Sequence, residues 1–505
     1  MKKHRFLFIF LTWFCNIAVL FAQNKSPITL TLDDAIEIAL EQSYNMKVLR
    51  LSVLRAQENL TAAKGRFRTR ALMDFDVPNF SERLMGIQQG YGFTIYNTMG
   101  IYRYQGNLSI IQPLPTNGEL RISSSLYHIK ESFLTLANTD TTTRRFSTSI
   151  SMNFNQPLFT INNLKYGLKR AELNYDRTTR LFSRRELDII YEVTREFYSL
   201  YRATRQRQIA LDQANQMQQT FELAQKKFNA GLIPEVEALQ MEVDFADSKN
   251  NLFVAETQLK QQADYFKQLI GLSLDENIQV RTDFDYRTFP IDSSKAIEQG
   301  LKNRSEIREQ EIELELAKMS VKEVDSEWQI RGDLSAFYDL SGISATDLIE
   351  EDVRSLFNSS ITDLKNRPRN KGVVFTLTVP LWDWGVNKAE VAAAKVNVET
   401  ADFGLAELKK TITREIRSAI DQVRQAENRL EVLKKSEEVA QKSYQISLHR
   451  FENGDITSQE LALDQQRLTN ARLAYLDAFI AYQLAVADLK RKTMYDFEEG
   501  RSLVK

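Results

Sequence analysis

The side chains best suited to acid–base, nucleophilic or metal chemistry are few in this chain and do not gather. Its 505 residues hold three histidines, His4, His128 and His449, and one cysteine, Cys15. Imidazole and thiolate are the groups most easily poised for proton transfer, attack on a carbon centre or metal ligation near neutral pH. Here they stand far apart in sequence. His449 sits one turn before a glycine turn, where a surface residue is the plain expectation. There is no Gly-rich phosphate loop, metal-spaced cluster or nucleophile elbow. The 67 Asp and Glu are balanced by 66 Lys and Arg, as expected on long solvated helices. No enzyme, cofactor or metal site is expected. A formal net charge of -1 with no long single-sign block gives no nucleic-acid footprint either. Function must then lie in surfaces, and in the elements that present them.

The N-terminus is a targeting segment. Lys2, Lys3 and Arg5 precede the apolar run 6–11, and a mostly apolar stretch continues to "AVLFAQ". Leu20 and Ala22 suit the minus-three and minus-one places, so residues 1–22 read as a signal peptide cleaved after Ala22. A membrane anchor is the alternative. Cleavage removes Lys2, Lys3 and Arg5 and takes the formal charge from -1 to -4. It also removes His4 and Cys15, leaving a chain without cysteine; "TWFCN" lacks the small residue expected before a lipidated cysteine. Beyond residue 22 no segment reaches the ~20 apolar residues of a spanning helix. An exported chain without such a helix is a soluble periplasmic or extracellular protein, or a β-barrel.

The sequence repeats itself. "AIEIALEQSYNMK" at 35–47 matches "AIEQGLKNRSEIR" at 296–308, and "NQPLFTINNLK" at 155–165 matches "TVPLWDWGVNK" at 378–388. "FNAGLIPEVEAL" likewise matches "FENGDITSQELA". Two structural repeats follow, 23–290 and 291–495, with a tail at 496–505. The first carries an insertion between about residues 78 and 145. Each repeat reads as helix, strand, loop, strand, long helix, sharp turn, helix.

The strands alternate in the manner of a membrane barrel. Phe146, Ile150, Met152 and Phe154 alternate with Ser147, Ser149, Ser151 and Asn153; the second copy places Val373, Phe375 and Leu377 in the same phase. Shorter partners carry Ala71, Met73, Phe75 and Val77, and Leu334, Ala336, Tyr338 and Leu340. Lengths of about 9–11 residues suit a tilted bilayer crossing. Each later strand runs through a Pro-Leu pair into a helix of some sixty residues. In the second copy the seam is Val391, Ala394, Val398, Ala401, Leu405, Leu408, Ile412, Ile416, Ala419, Val423, Ala426, Leu430 and Leu433, near the heptad period of a left-handed coiled coil. The matching helix runs over 164–227. Both long helices end at Gly, Gly231 and Gly454, the residue that best supplies a left-handed C-terminal turn. Thr31 with Asp34 resembles a capping box.

In order, duplication and spacing these features resemble the TolC-like outer-membrane factors, the outer membrane efflux protein family. The resemblance rests on "LTLDDAIEIALEQSYNMKVLR", the two Pro-Leu joins and the two Phe-x-x-Gly tips. It implies an α+β membrane protein in the outer membrane, extending into the periplasm. Three copies share a β-barrel with four strands per chain, 12 in all, continued by a long periplasmic α-helical barrel. Such a protein is the exit channel of a tripartite efflux pump or a type I secretion system, a passive duct gated at its helical tips. Its partners are a homotrimer, a periplasmic adaptor protein, an inner-membrane transporter and outer-membrane lipid. The adaptor-facing tips are, by motif, Phe228, Asn229, Ala230, Gly231 and Leu232, and Phe451, Glu452, Asn453, Gly454 and Asp455. An acidic pore constriction falls nearest Glu460 and Asp464, with Glu237 and Glu242 in the first copy. The match is inexact, since Glu460 stands where Asp is common and "ELALD" is shifted. An exported coiled-coil scaffold without a pore is the alternative.

Residues 107–128 depart from the pattern. Leu108 and Ile110 alternate before "PTNG", and Leu120, Ile122 and Leu126 after it. A longer extracellular loop is expected there in preference to two added strands, with the aromatic stretch 91–104 at the membrane rim or in a loop core. Trp382 and Trp384, where strand meets helix, suit an interfacial girdle or plain packing at the join.

Overall fold

The computed structural model describes residues 28–89, 93–134, 140–281, 288–344 and 352–503. The targeting segment, with Cys15, lies outside them. From Ile28 the chain forms β1 (Ile28–Leu30), α1 (Leu32–Gln42) and α2 (Tyr44–Gly65), then strands β2 (Arg70–Gln89), β3 (Phe93–Pro113), β4 (Glu119–Leu134) and β5 (Asp140–Leu158). A hairpin of α3 (Asn163–Asn229) and α4 (Glu235–Ile270) follows, with β6 (Ile278–Val280). The order then recurs with fewer strands: α5 (Ser293–Asn303), α6 (Ser305–Glu327), β7 (Arg331–Ile343), α7 (Val353–Asn366), β8 (Asn370–Thr378), α8 (Val386–Asn453) and α9 (Ser458–Thr493). Two short strands, β9 (Tyr495–Asp496) and β10 (Arg501–Ser502), pair near the end. Two compact units result, and both draw on each half of the sequence. One comprises Met1–Val53, Thr178–Gln310 and Gly404–Lys505, the other Leu54–Arg177 and Glu311–Phe403.

The second unit holds an antiparallel sheet in the order β2-β3-β4-β5-β7-β8. This corrects the expectation of four strands per chain with 107–128 as a loop. Leu108–Ile111 and Leu120–Leu126 are ladder residues of β3 and β4. The turn between them is tight: Leu114 N–H donates to Gly118 O at 2.7 Å, and Asn117 takes a left-handed φ of 73°. A hairpin here finds β2 on one side and β5 on the other, so its backbone groups are satisfied within the sheet, as a loop's would not be. The aromatic stretch is likewise strand from Phe93 onward, with Tyr91 and Gly92 outside the described residues. Tyr102 packs on Phe80 across the ladder, ring centroids 4.6 Å apart.

The register fixes the faces. One row crosses the sheet through Ala71, Ile110, Ile122, Met152 and Tyr338; the next face holds Asn107, Ser125 and Ser149 in one row and Ser109, Ser123 and Ser151 in another. The first face is therefore mainly apolar on β2, β3, β4, β5 and β7, its row reaching Lys371 on β8, and the second is mainly polar, with Leu72 of β2 the apolar member of its rows. Helix α7, where the sequence reads as loop, lies on the apolar face. Phe357 meets Phe146 edge-on at 5.2 Å, Thr148 donates to Ser360 O at 3.4 Å, and a Cβ on Gly342 would fall 2.1 Å from that same oxygen. Only glycine admits this approach.

The joins between strand and helix are capped. Asn162 Oδ1 accepts from Lys165 N–H at 2.9 Å ahead of α3; Asp383 accepts from Gly385 and Asn387 N–H at 2.8 and 2.7 Å ahead of α8. Each cap satisfies an otherwise orphaned donor of a first helical turn. Trp382 and Trp384 are 73 and 92% exposed, so they do not serve as packing at the join within the chain. The 67 and 68 residues of α3 and α8 correspond to about 100 Å each at 1.5 Å per residue. All thirteen seam positions of α8 are buried or half-buried.

In the helical unit, Phe197, Phe266, Ile412, Ile416 and Leu430 are fully buried in one core with Tyr198 and Phe479. Burial pushes the Tyr198 phenol well above its ordinary range. Strands β1 and β6 pair in parallel beside this core. The capping box at Thr31 and Asp34 is formed. Asp292 caps α5, accepting from Ser294 and Lys295 N–H.

Candidate functional site

The site is the pair of helix-hairpin ends in the helical unit. Both close on the same backbone motif. At the end of α3, Gly231 N–H donates to Phe228 O at 2.8 Å and Leu232 N–H to Lys227 O at 2.9 Å. At the end of α8, Gly454 N–H donates to Phe451 O at 3.1 Å and Asp455 N–H to Arg450 O at 2.8 Å. These paired bonds satisfy the last carbonyls of each helix and demand a left-handed residue. Gly231 and Gly454 take φ of 75 and 85°, and neither has an atom within 4 Å of an added Cβ, so the requirement is conformational alone.

The side chains at the two ends differ. Phe228 is exposed, Leu232 is 72% exposed, and Asn229, Ala230 and Gly231 are open to solvent. At the second end Glu452, Asn453, Gly454 and Asp455 are exposed. Phe451, expected there as a partner-facing residue, is instead 1% exposed and packs with Tyr444, Leu461 and Leu468. It is a packing residue: α8 turns it inward between the two helices of its hairpin. Lys227 spans the two ends, its ammonium bonded to Phe451 O and 4.5 Å from the centroid of the Phe451 ring.

The four expected constriction carboxylates have separate surroundings. Glu460 completes a capping box with Thr457, whose backbone N–H lies 2.9 Å from its carboxylate. The Thr457 backbone and hydroxyl hydrogen bonds hold Glu460 below the ordinary carboxylate range. Asp464 accepts from Ser447 Oγ at 2.5 Å and pairs with Arg467 at 2.8 Å. Glu237 accepts weakly from Ser458 Oγ at 3.4 Å, and Glu242 is exposed. Glu460 and Asp464 are near enough to repel each other, and Glu237 reaches the first turn of α9 through Ser458. His449, also exposed, lies 3.1 Å from Glu452. Among the described residues no group of His, Cys, Asp and Glu could hold a metal ion.

Sequence reasoning missed three features of this unit. One is Lys227, visible only as a basic residue in the last turn of α3. Another is an open groove of about 850 Å³ between α8 and α9, lined by Val432, Val439, Ser443, Asp464 and Arg467. The third is an ionic cluster in which Arg304 meets Glu306 and Glu415, each at 2.6 Å. Burial pushes the Glu306 carboxyl up, but the Arg304 hydrogen bond and charge outweigh it and hold the group below its ordinary range. The Arg304–Glu415 pairing joins positions 111 apart, and no local pattern announces it.

The exposed residues carry one further regularity. On α8, Val432, Val439 and Ile446 recur every seven residues at 67, 57 and 61% exposure. Among the described residues this apolar heptad stripe stays exposed, and such a stripe is the pattern on which a second helix packs.

Comparison with known proteins matches residues 116–272 and 296–493 to the family described as outer membrane efflux protein. The outer membrane protein OprJ of Pseudomonas aeruginosa is 32% identical over 133 residues. That stretch spans 26% of this chain and 27% of OprJ, so little more than a quarter of the relative is matched. Solved structures resemble the chain over nearly its whole length. CusC, whose crystal structures concern folding and transmembrane channel formation, shares 15% identity at a TM-score of 0.66 and covers 94% of this chain and 95% of its own. The Campylobacter jejuni CmeC outer membrane channel shares 14% at 0.66, covering 92 and 85%.

Proposed function

The chain belongs to the outer membrane efflux protein family, and from that premise we propose that three copies form the outer-membrane exit duct of a tripartite export machine. The observation that carries the reading is the sheet. Six strands share a mainly apolar face that α7 meets at β5 and β7 while Met73, Phe75, Val373 and Phe375 stay exposed, and they lead directly into helices of 67 and 68 residues. A pore-less scaffold would need the helices and not that face. Among the described residues no helix is long and apolar enough to cross a membrane, so membrane residence rests on the strands.

The duct is passive, with gating at the helix-hairpin ends and energy supplied by an inner-membrane transporter through a periplasmic adaptor. Phe228–Leu232 and the exposed residues 452–455 are the surfaces offered to that adaptor. Trp382 and Trp384, exposed beside the apolar strand face, suit the membrane–water interface. The heptad stripe on α8 supports packing between copies. Efflux is the reading the family favours over protein secretion.

The test is the mass of the protein extracted in mild detergent from outer membranes, by light scattering with the detergent subtracted, followed by conductance in planar bilayers. A conducting trimer is the expected result. A soluble monomer or dimer absent from the outer membrane would sink the proposal.

A further inference from the structure

Among the described residues, both outer strands of the sheet lack a neighbour on one side. On the apolar face, Met73 and Phe75 of β2 and Val373 of β8 are 61, 65 and 71% exposed, whereas Ile150 and Met152 of central β5 are 37 and 39%. An open row of backbone donors and acceptors cannot remain in lipid. Each edge therefore needs another copy.

The two edges fit each other in three respects. They run in opposite directions, because an even number of antiparallel strands separates first from last, so β8 of one copy can meet β2 of the next without breaking the antiparallel pattern. They match in length: β8 has nine residues, and the stretch of β2 from Arg70 ends at Pro78, which has no N–H to continue a ladder. They match in face. With Arg70 opposite Thr378, Met73 falls opposite Phe375 and Phe75 opposite Val373, apolar against apolar.

The stagger agrees as well. The row that starts at Arg70 passes through Ile111, Arg121, Asn153 and Phe337 to Gly372, six residues short of Thr378. Closing the seam with Arg70 opposite Thr378 thus advances the register by six residues for six strands.

We propose that the β8–β2 seam in this register joins three copies into a barrel of 18 strands, where the family resemblance implies 12. The proposal rests on the three-copy reading above. Equal stagger and strand number give a tilt of about 36°, the value of other barrels built so, and inside the ~35–45° range of outer-membrane barrels. With strands about 4.7 Å apart, the backbone radius becomes about 16–17 Å, against about 11 Å for 12 strands. The membrane end of the duct is then about one and a half times as wide, and its lining is the Ser- and Asn-rich face.

The mature chain offers no competing thiol, so the seam can be read by cysteine pairs. In M73C/F375C the two positions face each other within disulfide reach, and oxidation should convert the protein into covalent trimers. The shifted pair M73C/V373C should cross-link poorly. Electron microscopy of the unmodified protein in lipid discs counts the strands independently of any variant. In-register cross-linking with an 18-stranded barrel is the expected result. A trimer with a 12-stranded barrel and residues 93–134 folded outside it overturns the inference and leaves the three-copy duct standing. Preferential cross-linking of the shifted pair overturns the register. A preparation that never forms trimers removes the duct reading itself.

Discussion

The two hairpin ends share a backbone and differ in everything hung on it. Both close through a left-handed glycine and the same pair of hydrogen bonds. The end at Gly231 displays Phe228 and Leu232; the end at Gly454 buries Phe451 and starts its next helix with a full capping box. Helix α4, by contrast, starts at Pro234 with no side-chain cap. One end is packed and the other is open. A repeated motif therefore fixes where a chain turns without fixing what the turn is for.

Four experiments can break or sharpen that contrast. The largest effect is expected for F451A, which empties a buried site: about 3 kcal/mol by the usual cost of deleting a core phenylalanine, read as a drop of roughly 100-fold in hydrogen-exchange protection of the α8–α9 end. F228A should leave protection nearly unchanged and weaken adaptor capture instead. Equal losses of protection would erase the distinction between the ends.

Next come G231V and G454V. A β-branched side chain tolerates the left-handed region poorly, and a penalty of about 1–2 kcal/mol is expected at each. Because both glycines have open space around them, the barrel should stay folded and the loss should appear as weaker pump assembly. Unchanged adaptor binding by both variants would count against the ends as docking surfaces.

T457A removes the cap of α9 and should cost about 1 kcal/mol, fraying that helix and not α4. The same cap predicts a pH effect of defined sign. Glu460 is held below its ordinary range, so its contribution is complete above the ordinary carboxylate pKa and fades as pH falls through the lowered value. Exchange at the start of α9 should accordingly rise below about pH 4, and rise less in E460Q.

The smallest effect is expected for the double variant E460Q/D464N in planar bilayers. Its cap keeps Glu460 ionised, and Asp464 is partly offset by Arg467. Cation preference should therefore fall modestly, chiefly through Glu460. An unaltered reversal potential would remove both groups from the lumen.

Much of this was legible in the sequence, and the reasons differ by region. The thirteen seam positions of α8 came through because a helix repeats its environment every few residues, and sixty residues average out the noise. The glycine ends came through because a left-handed turn narrows the choice of residue to nearly one. The β3–β4 hairpin did not, since half of a barrel strand faces water and reads as loop; Asn107, Ser109, Ser123 and Ser125 look like linker until their partners are known. Phe451 was placed on the wrong side because a motif records spacing and not rotation about the helix axis. Asp464 and Arg467 show the same limit for charge: composition supplies both signs, and only packing decides which are already spent on each other.

The ladder between β5 and β7 has a consequence for how the protein comes into being. Strands β2 to β5 are successive hairpins whose partners leave the inner membrane moments apart, but Leu158 pairs with Gly332, 174 positions later. Closing so long a stretch before its helices form costs about 3 kcal/mol more than closing a six-residue turn, by the logarithmic growth of loop entropy. A four-stranded meander with one bare apolar face and two bare edges should therefore exist for as long as the second half takes to arrive. Periplasmic chaperones would find their client in that interval, and the export rate of residues 163–330 becomes a determinant of yield.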